Sequence, residues 1–77
     1  MTDQIPLEAS KAARAILGWS AKDLCREARV SPQTLGRLES GRAISTNQSE
    51  RIAKTFADHG VELLGDGKPG ARLARAV

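Results

Sequence analysis

The chain has 77 residues, enough for one small domain, with 12 basic and 9 acidic groups and a net charge of +3. About 40% is apolar, but 12 of those residues are alanine, so the core is small and leaves little room for an enclosed cofactor pocket. One cysteine excludes an internal disulfide, one cysteine with one histidine argues against a zinc site, and no apolar run approaches the ~20 residues of a membrane span. Without a signal-peptide core near the start, the expected setting is the cytoplasm.

Trp19 and Phe56 are the only aromatics, and alanine, leucine and charged residues predominate, which favours helices over sheets. Residues 1–6 read as a mobile lead-in, with Pro6 suited to a first helical turn. Ala9, Ala13, Ile16 and Leu17 then recur at helical spacing, opposite a polar face with Ser10 and Lys11, and Gly18 ends the helix.

A second helix starts at Ser20 as N-cap, with Asp23 completing a shortened capping box and Trp19 placed to staple onto Leu24. Its expected inner stripe is Ala21, Leu24, Cys25 and Ala28, small enough for another helix to approach closely. The same grammar then repeats: Ser31 caps, Pro32 takes the first helical position and Val30 can staple to Leu35. In this short third helix Leu35 and Leu38 face inward and Gly41 closes the end. Gln33, Thr34, Gly36 and Arg37 remain on an outer face with nothing apolar to cover.

Ser45 or Thr46 caps a fourth helix, with Gln48 completing a box from Ser45 and with Ile52, Ala53 and Phe56 inward. His59 sits at its C-terminal end, Gly60 stops it and Val61 is placed to touch Phe56. Residues 61–64, the Gly-rich 65–70 and 71–73 read as strand, turn, strand. A lone hairpin is marginal in water, so it needs the body of the domain or a second subunit. The basic tail holds Lys68, Arg72 and Arg75 with no acid among them. The expected division is a helical domain over 1–60 and a strand-bearing tail over 61–77.

Two short helices joined through residues 28–31 make a helix-turn-helix. The outer face of its second helix suits the ~12 Å major groove of DNA, with Gln33 matched to adenine, Arg37 to guanine and Thr34 able to offer a hydroxyl or methyl. Ser31, at the helix N-terminus, suits a phosphate. The run Arg14-Ala-Ile-Leu-Gly-Trp-Ser-Ala-Lys-Asp-Leu24, followed by Val30-Ser-Pro-Gln-Thr-Leu-Gly-Arg-Leu-Glu-Ser-Gly41, resembles the lambda-repressor-like, Cro-type helix-turn-helix DNA-binding domains. The resemblance covers residues 7–60 and is most specific from Trp19 to Gly41. The tail looks like that of short single-domain bacterial members.

The resemblance implies an all-α four-helix domain with a short C-terminal strand or hairpin. It implies base contacts from Gln33, Thr34 and Arg37, and phosphate contacts from Ser31, Ser40, Arg42, Ser45, Thr46 and Asn47. It also implies an ion pair of Arg14 with Glu39 that fixes the third helix and aims the guanidinium at a phosphate. The chain departs from the pattern at Arg29, where the turn usually has a left-handed glycine, and at Ala21, where a glutamine is usual. Pro32 fills a position that often reads a base.

The function expected is sequence-specific binding of double-stranded DNA by a transcriptional repressor, without cofactor or metal. A homodimer is expected through Val61, Leu63, Leu64 and Leu73, which exceed the needs of a small core. The alternative is a protein-interaction module, such as an antitoxin, that binds a protein partner through its tail. No nucleophile–base arrangement or phosphate-binding loop is legible, so the chain does not read as an enzyme.

Overall fold

A computed structural model describes residues 5–64 and 70–73. Residues 1–4, the segment 65–69 with Lys68 where a turn was expected, and residues 74–77 with Arg75 lie outside them. Among the described residues are four helices, α1 (Leu7–Leu17), α2 (Ala21–Ala28), α3 (Pro32–Glu39) and α4 (Thr46–Asp58), and two strands, β1 (Val61–Leu64) and β2 (Gly70–Leu73). The fold is a small all-helical helix-turn-helix with a C-terminal antiparallel hairpin.

Local chemistry sets the helix boundaries. Ser20 accepts the Asp23 N–H at 3.1 Å while the Asp23 carboxylate accepts the Ser20 N–H at 2.9 Å, a complete capping box. Ser45 and Gln48 make the same reciprocal pair at the start of α4. Ser31 caps α3 by accepting the Thr34 N–H at 3.0 Å, and Pro32 follows where its missing N–H costs nothing. At the far end of α3, Gly41 adopts φ 83°. Its N–H reaches the Leu38 carbonyl and that of Arg42 the Arg37 carbonyl, a Schellman closure.

The core gathers Ala9 and Ala13 of α1, Leu24, Cys25 and Ala28 of α2, Leu35 and Leu38 of α3, Ile52 and Phe56 of α4, with Ile5, Ile44 and Val61. Each fully buried large side chain contributes roughly 1.5–3 kcal/mol, and Phe56, Leu24, Leu35 and Ile52 are the largest of them. The small residues of α1 and α2 let α3 and α4 approach closely. Trp19 packs on this core with its ring 6.2 Å from that of Phe56 and 4.7 Å, edge-on, from His59. His59 Nδ1 lies 2.8 Å from the Thr55 carbonyl, so the ring carries its proton on Nδ1 when that bond is made.

Four expectations need correction. Ile5 is not part of a mobile lead-in: it is buried, and its N–H donates to Ser49 Oγ at 2.9 Å, across 44 residues. Ser10 does not lie on the polar face of α1 but is fully buried. Ile16, expected inward, is exposed. Ala21, placed on the inner stripe of α2, is exposed as well, at the open groove between α2 and α3.

The hairpin pairs Val61 with Leu73, Leu63 with Ala71 and Leu64 with Gly70. Alternation puts Val61, Leu63, Ala71 and Leu73 on one face and Glu62, Leu64 and Arg72 on the other. The first face packs against α1 and α4: Val61 is 2% exposed, and Leu63 and Ala71 are half-buried against the core. On the second face Arg72 pairs with Glu62. The four residues expected at a dimer contact therefore do not form one free surface. Val61 and Leu63 serve the chain's own core, while Leu64 and Leu73 stay exposed, on opposite faces and near opposite ends of the hairpin.

Candidate nucleic-acid interface

The outer face of α3 is made by Pro32, Gln33, Gly36 and Arg37, all exposed, while Leu35 and Leu38 anchor the helix from behind. No large apolar side chain lies on that face. The Gln33 amide is unpaired among the described residues. Arg37 leans over the loop after α3, its Nη2 donating to the Ala43 carbonyl at 3.3 Å, and its other N–H groups are uncommitted.

Thr34 sits differently. It is half-buried, and its Oγ1 accepts from Ser31 Oγ at 2.9 Å and from Gln48 Nε2 at 3.2 Å. Gln48 is also the capping-box residue of α4. One side chain thus ties the N-terminus of α3 to that of α4, a link that sequence reading missed. Nothing short-range announces it, because the two residues are 14 positions apart. With both lone pairs engaged, the Thr34 hydroxyl retains only its proton and methyl for an outside ligand.

The aim of α3 is fixed at its other end. Glu39 accepts from Arg14 Nη2 at 2.8 Å and Nε at 3.1 Å, and from Ser10 Oγ at 2.8 Å. Only 20% of the Arg14 side chain and 12% of the Glu39 side chain are exposed, so the pair is largely screened from water. Arg14 Nη1 donates to the Trp19 carbonyl at 3.4 Å. The guanidinium is therefore engaged within the domain on every nitrogen, rather than presented mainly outward. Ser10 is the partner that sequence reading missed, because a serine among alanines gives no signal of its destination.

The remaining expected phosphate ligands divide by what they have to offer. Arg42, Thr46 and Asn47 are exposed. The N–H groups of Thr46 and Asn47, in the first turn of the 13-residue α4, have no intrahelical acceptor, and the positive end of the helix dipole lies there. Ser31 and Ser45 present hydroxyls that already accept their helix caps. Ser40 Oγ donates to the Gly36 carbonyl at 2.6 Å, so its proton must leave that bond to reach a phosphate.

Cys25 lies behind this face, and burial, followed by the nearby Glu39 charge, raises its thiol pKa. The thiol stays protonated at neutral pH and acts as a packing residue. Among the described residues no group of histidine, cysteine and carboxylate side chains is arranged to hold a metal, and no helix is long and apolar enough to cross a membrane.

A family model for helix-turn-helix domains of the lambda-repressor-like, Cro type matches residues 11–57. The chain belongs to that family. The helix-turn-helix is a DNA-binding regulatory domain, and its partner is double-stranded DNA. The match runs from within α1 to the last turn of α4, so the hairpin lies beyond it. No curated protein matches the chain.

Proposed function

We propose that this helix-turn-helix protein is a sequence-specific transcriptional repressor that lays α3 in the major groove. The observation that carries this is the asymmetry of α3: a polar, exposed outer face on a helix whose inner face and both ends are fixed. Gln33 matches the adenine edge and Arg37 the guanine edge, each able to make two hydrogen bonds to one base. Thr34 adds a methyl or hydroxyl contact from its tethered position. Ser31, Ser40, Arg42, Ser45, Thr46 and Asn47 flank these groups and set the register on phosphates, with Arg42 supplying charge and the α4 N-terminus supplying N–H donors.

One module covers little DNA, so two copies acting together fit this role, with recognition helices about 34 Å apart on one face of the duplex. The hairpin is our choice of dimer contact, through Leu73 and Leu64, the apolar side chains it leaves exposed. That same exposure favours a second reading, in which the hairpin binds and occludes a partner protein.

Fluorescence anisotropy tests the first reading, using DNA from upstream of the coding sequence and a shuffled control at low and near-physiological salt. Preference for the native sequence that survives the higher salt supports base reading, and Arg37→Ala then costs about 1–3 kcal/mol of it. Equal binding that disappears with salt shows phosphate attraction alone and counts against the proposal. Leu64→Ser with Leu73→Ser separates the two roles of the hairpin. Loss of the dimer in sedimentation supports self-association, whereas an unchanged oligomeric state with loss of a co-purifying protein supports the second reading.

A further inference from the structure

Between α2 and α3 runs a groove of about 370 Å³ whose lining is mostly apolar, from Ala21, Cys25, Pro32, Leu35 and Gly36, and includes the charged Lys22 and Glu39. Ala21 and Cys25 are one turn apart on α2, as Pro32 and Gly36 are on α3, so the groove lies between two rows of small or compact residues with Leu35 beneath. It is open because of what these residues lack. A β-carbon at Gly36 meets nothing within 4 Å, and the exposed Ala21 ends at its own β-carbon. Of its two charged lining residues, Glu39 is held by Arg14 and Ser10, while the exposed Lys22 leaves its ammonium free to stand in water at the rim.

Its position decides what it meets. Pro32 and Gly36 precede, by one residue each, Gln33 and Arg37, the side chains proposed to read bases, so the groove continues the face that a helix-turn-helix presents to DNA. The edges of the bases in the major groove offer one apolar group, the 5-methyl of thymine. A hydrophilic base edge seated here would give up water without gaining a partner, whereas a methyl group gains carbon contacts and is removed from water.

We propose that the α2–α3 groove is a thymine-methyl subsite, through which the chain selects thymine next to the bases read by Gln33 and Arg37. This rests on the reading of α3 as the base-reading helix. Gly36 and Ala21 are its specificity-determining residues, because their missing side chains make the space. Glutamine 33 and arginine 37 select by hydrogen bonds, and the groove adds discrimination by shape and hydrophobicity.

The test is selection of operator DNA by the full chain from a random pool, followed by replacement of each thymine in turn with deoxyuridine. Deoxyuridine removes the methyl and keeps the pairing. At one thymine per half-site the replacement should weaken binding about fourfold, the value of one buried methyl-sized group. In Gly36→Leu, or in Ala21→Leu where the α2 side is filled instead, that sensitivity should vanish. Both positions are exposed, and circular dichroism confirms that the variants remain folded. An enriched operator with no methyl-sensitive thymine, or with sensitivity unchanged in both filled variants, overturns the subsite while leaving α3 as the reading helix. Failure to enrich any sequence overturns the reading of α3 and the subsite with it.

Discussion

The turns that flank α2 use one design with different residues. The turn between α1 and α2 is Gly18-Trp19-Ser20, and the turn between α2 and α3, eleven positions on, is Arg29-Val30-Ser31. In each, the first residue is left-handed, the second is apolar and packs on the core, and the third caps the next helix. Trp19 N–H reaches back to the Arg14 carbonyl at 2.9 Å, and Val30 N–H to the Cys25 carbonyl at 3.1 Å. Each turn also has a carbonyl held by an arginine: Trp19 by Arg14, and Arg29 by Arg51 of α4 at 3.0 Å. The difference is that Gly18 takes φ 69° without steric cost, whereas Arg29 takes φ 58° at a cost of about 1 kcal/mol. The hydrogen-bond pattern and the following cap therefore dictate the turn, and glycine only makes it easier.

The sharpest way to break the parallel is at the arginine that serves the first turn. Arg14→Ala leaves the largely buried Glu39 carboxylate with the Ser10 hydroxyl as its one remaining partner among the described residues and with no opposite charge, and releases the Trp19 carbonyl. The expected loss is about 3 kcal/mol, read as a fall in melting temperature of about 15 °C for a domain of this size. A loss no larger than that of an exposed ion pair would show that the network does not fix α3. Exchanging the turn residues gives a smaller effect with opposite signs. Gly18→Ala should destabilise by about 1 kcal/mol for its positive φ alone, since its β-carbon meets nothing within 4 Å. Arg29→Gly should stabilise by up to about 1 kcal/mol, measured by urea denaturation. If Arg29→Gly destabilises, the arginine side chain contributes more than its backbone strain costs, and the two turns are not equivalent.

The smallest expected effect separates the caps. Asp23 completes the box at Ser20, and the Ser20 N–H, then its hydroxyl, hold the carboxyl below its usual value of 3.8. A depressed folded pKa means that this cap stabilises α2 fully above about pH 4 and is lost as pH falls through the lowered value. Thr34 stands where α3 would have that carboxylate, so Ser31 has no equivalent titration. Acidification below pH 4 should therefore speed amide exchange at Ser20 and leave the Thr34 amide unchanged. Matching responses at both amides would show a general acid effect instead.

What could be read in the sequence was local. Ser20 with Asp23, Ser31 with Pro32, Ser45 with Gln48 and the glycines at 18 and 41 are signals that complete themselves within four residues, so four helices and the helix-turn-helix followed directly. The apolar spacing of Leu35 and Leu38 likewise left Gln33 and Arg37 on the open side of α3. The destinations of Ile5, Ser10 and Leu63 were not legible, and each depends on an element distant in the chain. Ser10 is buried because Glu39, 29 residues on, is brought above it, and Ile5 because Ser49 comes to meet its N–H. Val61 and Leu63 looked like surplus apolar surface until the hairpin folded onto α1 and gave them a core. The sequence by itself determined the helices, their caps and the polar face of α3, because capping and periodicity are short-range physics. The resemblance implied the Arg14–Glu39 pair between α1 and α3, but the tertiary structure alone decided which small residues are buried, that Ser10 joins that pair, and how α3 is fastened to α4. Those outcomes rest on hydrogen bonds and packing between segments whose meeting no local signal encodes.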